Sequence, residues 1–355
     1  MVFGRRRKRG DCRSPRQLHR RGSPGAGHQT APGGLASHRI MIRMVSVCMI
    51  TYNHAPYIEQ AIRSVMAQQG DFTLELIVSD DASTDGTPGI IARLAAEYPE
   101  VMLPLRNGPN VGMMRNFIRA LNACSGDYVA LLEGDDYWCD DQKLQKQIAA
   151  LETGPRFGAC FHRTEWHNDA GERIHVFPDF PVPQPLTLRH LLLMRNVMNT
   201  SSVVFRRGAH GELPAGFEDL DMGDYPLQVL IARAADIVYV PKVMSVYRVH
   251  SDGVWSTLTP AQSDIRFART FAWLLPHLPP EYQGLGATLN EFVQMLAQLQ
   301  TGNEKQARWH AWRRAGRRPF GKQTALSLAV LLWPRLARAA RNRIHPDSKI
   351  HKFFR

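Results

Sequence analysis

The sequence predicts an α/β fold: a mixed, mainly parallel sheet flanked by helices in three layers, followed by a helical C-terminal extension. Three observations predict it. Residues 45–50, 74–78 and 128–132 are apolar runs of strand length. Each ends abruptly in polar or acidic residues: Thr51-Tyr52-Asn53-His54, Ser79-Asp80-Asp81-Ala82-Ser83-Thr84-Asp85 and Glu133-Gly134-Asp135-Asp136. Helical hydrophobic spacing then takes over. Strand, polar rim and helix in repetition describe a parallel sheet with its rims on one edge, where α/β proteins bind ligands.

The elements follow in order. After the first strand, Ile58, Ala61, Ile62, Val65 and Met66 recur at helical spacing within residues 57–69. After the second, Ser83 or Asp85 can cap a helix whose apolar face includes Ile90, Ile91, Leu94 and Ala95. The third strand presents the pair Asp135-Asp136. Acids packed this closely repel each other, so a positive group is expected between them, such as a hard divalent cation carrying a diphosphate. The plainer reading is a pair of acids capping the next helix. In the second half, residues 199–207 run from polar positions into a strand, and Leu227, Leu230, Ile231 and Ala234 trace a helix behind Glu218, Asp219, Asp221 and Asp224. Residues 243–250 alternate as a strand and 251–256 form a glycine-containing loop.

Four phrases in order, Ser46-Val47-Cys48-Met49-Ile50-Thr51-Tyr52-Asn53, Val78-Ser79-Asp80-Asp81-Ala82-Ser83-Thr84-Asp85-Gly86-Thr87, Asn110-Val111-Gly112 and Gly134-Asp135-Asp136, resemble the family 2 glycosyltransferases with the GT-A (Rossmann-like) fold. The resemblance implies a catalytic domain over residues 44–260. It also implies an enzyme that binds a nucleotide-diphospho-sugar with Mn2+ or Mg2+ and inverts the anomeric carbon on transfer. Carried over residue by residue, Thr51, Tyr52 and Asn53 line the base and ribose pocket, and Asp81 accepts a hydrogen bond from the base. Arg115 and Asn116 lie in the stretch that runs near the nucleotide. Asp135 approaches the ribose or the metal, and Asp136 the metal and diphosphate. Glu133 stands where relatives often carry Asp; its longer arm can still reach metal or ribose. His250 completes the metal shell or, with Arg248, stabilises the leaving diphosphate, and Trp255 serves as a lid over the donor or as a core residue. Inverting transfer needs a carboxylate to take the acceptor hydroxyl's proton. Asp224 aligns best with that role, with Asp221 and Asp219 as competitors and helix-start acids as the plainer reading. The acceptor is a hydroxyl of a glycan or lipid-linked molecule, in cell-surface polysaccharide biosynthesis.

Charge is unevenly spread. Of the net +12, residues 1–43 carry +10 and residues 305–355 carry +13, which leaves the middle at −11. An acidic centre with basic ends is not the profile of a nucleic-acid-binding domain. The basic ends suit an anionic membrane surface. Residues 1–43 contain Arg5-Arg6-Arg7-Lys8-Arg9 and few aliphatics, so they are expected to form a disordered basic segment. They lack the apolar stretch of a secretory signal, and the methionines Met41 and Met44 suggest an upstream mis-assigned start. Residues 261–355 form the basic, mainly helical extension. Within it, the apolar run 325–333 precedes Arg335, Arg338, Arg341 and Arg343, and Trp333 suits a helix lying at a lipid interface or packed on the domain. Five unpatterned cysteines point to a reducing, cytoplasmic compartment, with peripheral contact at the membrane's cytoplasmic face.

Two rivals remain within reach of the sequence. A sugar nucleotidyltransferase shares the fold and metal but needs a glycine-rich basic loop after the first strand, which Thr51-Tyr52-Asn53-His54 does not offer. A catalytically silent nucleotide-sugar-binding scaffold is opposed by the intact Asp135, Asp136 and Asp224.

Overall fold

The structure is a computed structural model and describes residues 43–317; the arm 1–40 and the apolar-basic stretch 325–343 lie outside the described residues. Strand β1 (Arg43–Thr51) is flanked in register by β2 (Phe72–Asp80) and β4 (Tyr128–Glu133), both parallel to it. Strand β3 (Met102–Arg106) adds in parallel outside β2. Beyond β4 come β8 (Val204–Arg206), β6 (Phe157–His167), β9 (Asp236–Arg248) and the two-residue β5 (Tyr137–Trp138), with β7 (Arg173–Phe177) hung on β6. Strand β8 is antiparallel to both β4 and β6, while β9 is parallel to β6. The long strands therefore all point one way, and the short β5, β7 and β8 run against them. This is the mixed, mainly parallel sheet expected, and it delivers the ends of β1, β2, β4, β6 and β9 to one edge.

Alternation decides which side chains face which layer. Val45, Val47 and Met49 of β1, Leu76 and Val78 of β2, and Ala130 and Leu132 of β4 face one core with helices α1 (Ile58–Met66), α2 (Thr87–Glu97) and α4 (Lys143–Glu152). Cys48, Ile77, Val129 and Leu131 face the other, with α3 (Met113–Ala123), α5 (Leu188–Met194) and α6 (Asp224–Ala232). Helix α1 shows why the hydrophobic spacing was legible: Ile58, Ala61, Ile62 and Val65 are all buried on one face. Burying each larger aliphatic contributes about 1.5–3 kcal/mol before conformational entropy is charged against it. The helix stops at Met66, three residues short of the expected segment, because Gln68 turns to bind the backbone carbonyl of Asp140 and the N–H of Leu144.

Two features escape the hydrophobic pattern. Strand β9 starts at Asp236 rather than near residue 243, since register shifts around His162 and Arg163 let it pair with β6 across Pro241. A proline inside a strand pattern reads from sequence as a break. The C-terminal helices α7 (Pro260–Leu274) and α8 (Pro280–Gln300) place Phe267, Phe271, Leu274, Leu289 and Val293 in the same core as α3 and α6. Helix α9 (Glu304–Arg317) rests Ala307 and Ala311 on Phe292, Met295, Leu296 and Leu299 of α8.

Lys143, at the start of α4, is fully buried with its Nζ 4.0 Å from the Trp138 ring centre, and that nitrogen has no hydrogen bond. Burial pushes its pKa down to about 7. Because the folded value lies below the unfolded one, the unfolded chain binds the extra proton between about pH 7 and pH 10, and stability rises with pH across that window. Lys143→Met, which keeps the volume and removes the ionisable head, is expected to raise stability at pH 7 by about 1–4 kcal/mol and to flatten that rise. Urea unfolding of both proteins at pH 7 and pH 9.5 checks it; an unchanged or lower midpoint for the variant at pH 7 refutes it.

Candidate active site

The rim loops after β1 and β2 are tied to each other by side chains. Asn53 and Ala82 hold left-handed φ values of 55° and 61°, a conformation that turns the chain sharply out of each strand. The Asn53 N–H donates to Ser83 Oγ at 2.8 Å, and Asn53 Oδ1 accepts the Thr84 N–H at 2.9 Å. The Ala55 N–H donates to Asp85 Oδ2 at 3.0 Å, and the His54 N–H to Thr87 Oγ1 at 2.9 Å. Asp85 Oδ1 also accepts the Thr87 N–H at 2.9 Å, so of the two helix caps considered from sequence, Asp85 serves α2 while Ser83 serves the neighbouring loop.

Asp81 is buried and holds the 107–112 segment. Its Oδ1 accepts from Asn107 Nδ2 at 2.8 Å and the Val111 N–H at 2.9 Å, and its Oδ2 accepts the Gly112 N–H at 2.9 Å. Asn110-Val111-Gly112 is thus latched onto the rim of β2. Asn116 and Arg115 lie on α3, just beyond this latch. Asn116 is buried and spends its amide on Ser79 and Asn107. Arg115 is exposed and faces Asp219 across 3.4 Å. The first is a buried cross-link between α3, β2 and Asn107, and the second a surface ion pair. Consecutive helix positions project about 100° apart, so a motif alone does not tell which one faces the cleft.

The acids gather at the end of β4. Gly134 passes so close to β1 that a Cβ there would lie 2.6 Å from Thr51 Oγ1, 2.8 Å from Thr51 Cβ and 3.0 Å from His54 Nδ1. Only glycine lets the Asp135-Asp136 turn lie against the β1 rim. Asp135 Oδ2 then stands 3.1 Å from His250 Nε2 and 3.7 Å from His54 Nε2. Burial opposes its ionisation, but the His250 hydrogen bond and the His54 charge outweigh burial and hold it below the ordinary carboxylate range. Asp136 Oδ1 accepts the Arg248 N–H at 3.0 Å, whereas its buried Oδ2 makes no hydrogen bond of ordinary geometry. Burial first, and the Asp135 charge second, push Asp136 well up. Glu133 is raised in the same way by burial and then by the charges of Asp135, Asp136 and Asp224.

Cations close the cluster on one side. Arg248 donates to the Asp135 carbonyl and, at 2.5 Å, to Gln60 Oε1. Its guanidinium lies 5.1 Å from the Tyr57 ring centre and 4.6 Å from that of Tyr137. These residues wall a cleft of 280 Å³ that reaches the β6–β7 turn at Asn168 and Asp169. His250, with its pKa raised chiefly by the Asp135 hydrogen bond, packs on Tyr57 at 4.8 Å between ring centres. Trp255 instead packs against the main core, with the Arg266 guanidinium 5.8 Å from its ring centre, in keeping with the core role considered for it.

Of the three acids near α6, only Asp224 sits with this cluster. Asp219 and Asp221 form surface pairs with Arg115 and Arg269. Asp224 begins α6, is raised by burial, and receives a 2.8 Å hydrogen bond from Asn196 Nδ2. Asn196 follows Arg195, whose left-handed φ of 61° ends α5 and swings the chain toward α6. His54, Gly134 and Asn196 are functional candidates given no role from sequence; Gly134 lies inside a motif, His54 directly follows one and Asn196 lies outside them all.

Among the described residues no three His, Cys, Asp or Glu side chains stand as a preformed metal shell. The donor set nevertheless fits a divalent cation. Asp136 offers an orphaned buried oxygen, His54 and His250 each carry an unpartnered buried Nδ1, and the acids raise one another's pKa for want of a counter-charge.

Comparisons with known proteins bear on the class of this fold. Residues 46–212 match the model of glycosyl transferase family 2. An uncharacterized protein of Mycobacterium tuberculosis is 39% identical over 212 residues, which is 59% of this chain and 60% of the relative, so the match spans less than two thirds of that protein. A putative teichuronic acid biosynthesis glycosyltransferase of Bacillus subtilis is 37% identical over 106 residues, 30% of this chain and 40% of the relative. The mannosyltransferase PcManGT of Pyrobaculum calidifontis, solved with GDP-Man and Mn2+, superposes with a TM-score of 0.51 at 21% identity, covering 85% of this chain and 87% of its own. That likeness shows the GT-A fold.

The close approach at Gly134 has a measurable consequence. Gly134→Ala is expected to cost about 1–3 kcal/mol, because Thr51 is strand backbone's own side chain in a packed sheet and has little room to retreat. Denaturant unfolding with an unchanged m-value checks it. A midpoint equal to that of the parent would show that the β1 and β4 rims part freely.

Proposed function

We propose that this chain is a metal-dependent, inverting glycosyltransferase that moves a sugar from a nucleotide-diphosphate donor to a hydroxyl of a glycan or lipid-linked acceptor in cell-surface polysaccharide biosynthesis. The observation that carries the reading is the pairing of an under-neutralised acid cluster at the β4 rim with a separate half-buried acid, Asp224, at the start of α6, in a domain that matches the family 2 model. The name of the teichuronic acid relative supports the polymer as acceptor class.

In this reading Thr51, Tyr52 and Asn53 bound the base and ribose pocket. Tyr52 is exposed at the rim and free to cover a base. Asp81 meets the base while holding the 107–112 loop as the wall of the pocket. Asp135, Asp136 and His250 hold the cation, with Glu133 beside them. When bound, that Mn2+ or Mg2+ ion neutralises the diphosphate and makes it a better leaving group. Arg248 supplies a fixed positive charge at the same place, already oriented by Gln60, Tyr57 and Tyr137. The acceptor oxygen attacks the anomeric carbon from the face opposite the diphosphate; the bond from that carbon to the diphosphate oxygen breaks, and the hydroxyl proton passes to a carboxylate oxygen of Asp224. Burial raises the Asp224 pKa, which makes it a stronger base once ionised, and the Asn196 hydrogen bond favours its ionised form. Arg115, Asn116 and Trp255 have no direct part, given where their side chains lie.

Asp136→Ala is expected to abolish metal-dependent nucleotide binding with the fold intact. Calorimetry with UDP and GDP in Mn2+ tests it, and affinity equal to the parent's removes Asp136 from the metal site.

Asp224→Asn keeps the shape and the helix start but cannot accept a proton at neutral pH. Turnover is expected to fall ~10²–10⁴-fold with donor affinity retained, the signature of an interaction needed in the transition state. Near-normal turnover moves the role to another acid.

Asn196→Ala removes a donor that favours ionised Asp224. Its pKa rises further, so the acidic limb of the kcat/KM profile is expected to move to higher pH with donor affinity unchanged. A limb at the parent's position would leave Asn196 a structural residue only.

A further inference from the structure

We infer that helix α9 is a lipid-docking face that seats the protein on an anionic bilayer surface through Trp309 and Trp312. The inference stands apart from the transferase reading and rests on how the sequence of α9 is distributed around its axis. Ala307, Ala311 and Arg314 are buried against α8. Lys305, Arg308, Trp309 and Trp312 lie on the opposite side and are exposed, Trp309 by 45% and Trp312 by 68%. They are the only tryptophans among the exposed large hydrophobic residues described.

Two exposed indoles on one helix face are costly in water without a partner. An indole carries a large apolar body with one N–H, which suits the boundary between acyl chains and headgroups. Arg313 Cζ lies 4.5 Å from the Trp309 ring centre and its Nε is 3.1 Å from Glu291 Oε1, so the Trp309 ring is braced in its outward pose. Glu291 is itself buried and also meets His310 at 2.7 Å, which withdraws this acid from the outer surface. The face therefore presents aromatic rings flanked by Lys305 and Arg308.

Charge complementarity selects the occupant. Residues 305–355 hold fourteen Lys and Arg against one Asp. Clustered basic residues are attracted to anionic lipid by about 1 kcal/mol each within a Debye length of the surface. A nucleic acid would answer the charge but would leave the paired tryptophans without an apolar phase. An amphipathic helix with tryptophan beside basic residues is the arrangement that lies in a bilayer interface. No helix among the described residues is long and apolar enough to cross a membrane, so contact through this face would be lateral.

The test uses the full chain and sedimentation with vesicles of phosphatidylcholine, with and without phosphatidylglycerol. The parent protein is expected to sediment with the anionic vesicles and to be released by high salt. Trp309→Ala/Trp312→Ala is expected to weaken that partitioning by about tenfold or more at an unchanged melting temperature. Lys305→Glu/Arg308→Glu is expected to weaken it on anionic vesicles only. Brominated lipid should quench part of the parent's tryptophan fluorescence, a part missing from the double alanine variant. Partitioning and quenching equal in parent and alanine variant would overturn the proposal and move any lipid contact to the segment after α9. So would absence of vesicle binding by the parent, or an alanine variant whose only change is a smaller oligomer, which would make the face an interface between protein chains. Should the alanine variant melt early, Trp309→Gln/Trp312→Gln with the same quenching readout decides.

Discussion

Electrostatic repulsion among Glu133, Asp135, Asp136 and Asp224 is the constraint around which this site is built. Glu133, Asp135 and Asp136 gather where β4 ends, with Asp224 of α6 adding its charge at Glu133, and of the three only Asp135 is held low, through its hydrogen bond with His250. Glu133 and Asp136 are left with raised pKa values and Asp136 with an orphaned oxygen. A buried charge without a partner is expensive, so such a cluster persists where a bound cation relieves it.

The surrounding structure keeps that cluster in place. Gly134 removes the Cβ that would separate the β4 rim from Thr51 and His54. Asn53 and Ala82 accept left-handed backbone so that the β1 and β2 loops can bind each other through Ser83, Thr84, Asp85 and Thr87. Arg248 reaches the rim because β9 runs parallel to β6 and ends on the same edge as β4. Each device is local, but each depends on the long strands sharing one direction. Were β9 reversed, Arg248 and His250 would lie at the far end of the sheet.

The C-terminal helices link this domain to its surroundings. Helices α7 and α8 complete the core beneath α6 and so fix the helix that presents Asp224. Among its described side chains, helix α9 buries Ala307, Ala311 and Arg314, and leaves Trp309 and Trp312 exposed. That inversion of the usual amphipathic pattern separates the part of the chain that stabilises the site from the part available to a surface.

Much was legible in the sequence because it depends on short-range patterning. Period-2 and helical spacing gave β1, β2, β4, α1, α2 and α6, and the abrupt change from apolar to acidic residues marked the rim carrying Asp135 and Asp136. Strand β9 was half legible, since Pro241 interrupts its pattern while the pairing continues across a register shift. Side-chain direction was not legible. Asn116 and Arg115 sit in a motif that passes the rim, yet one is a core cross-link and the other a surface ion pair, because which helical face meets the cleft is set by how α3 packs on the sheet. The different settings of Asp224, Asp219 and Asp221 likewise come from tertiary contacts. All three are acids before a helix, and only the placement of α6 half-buries one and brings Asn196, twenty-eight residues away, to its carboxylate. Sequence fixes which groups are available and their rough order along the chain, because hydrophobic period and turn chemistry act between near neighbours. Burial and charge coupling arise only between segments distant in sequence, so the pKa values and partners that make a carboxylate reactive appear with the tertiary structure alone.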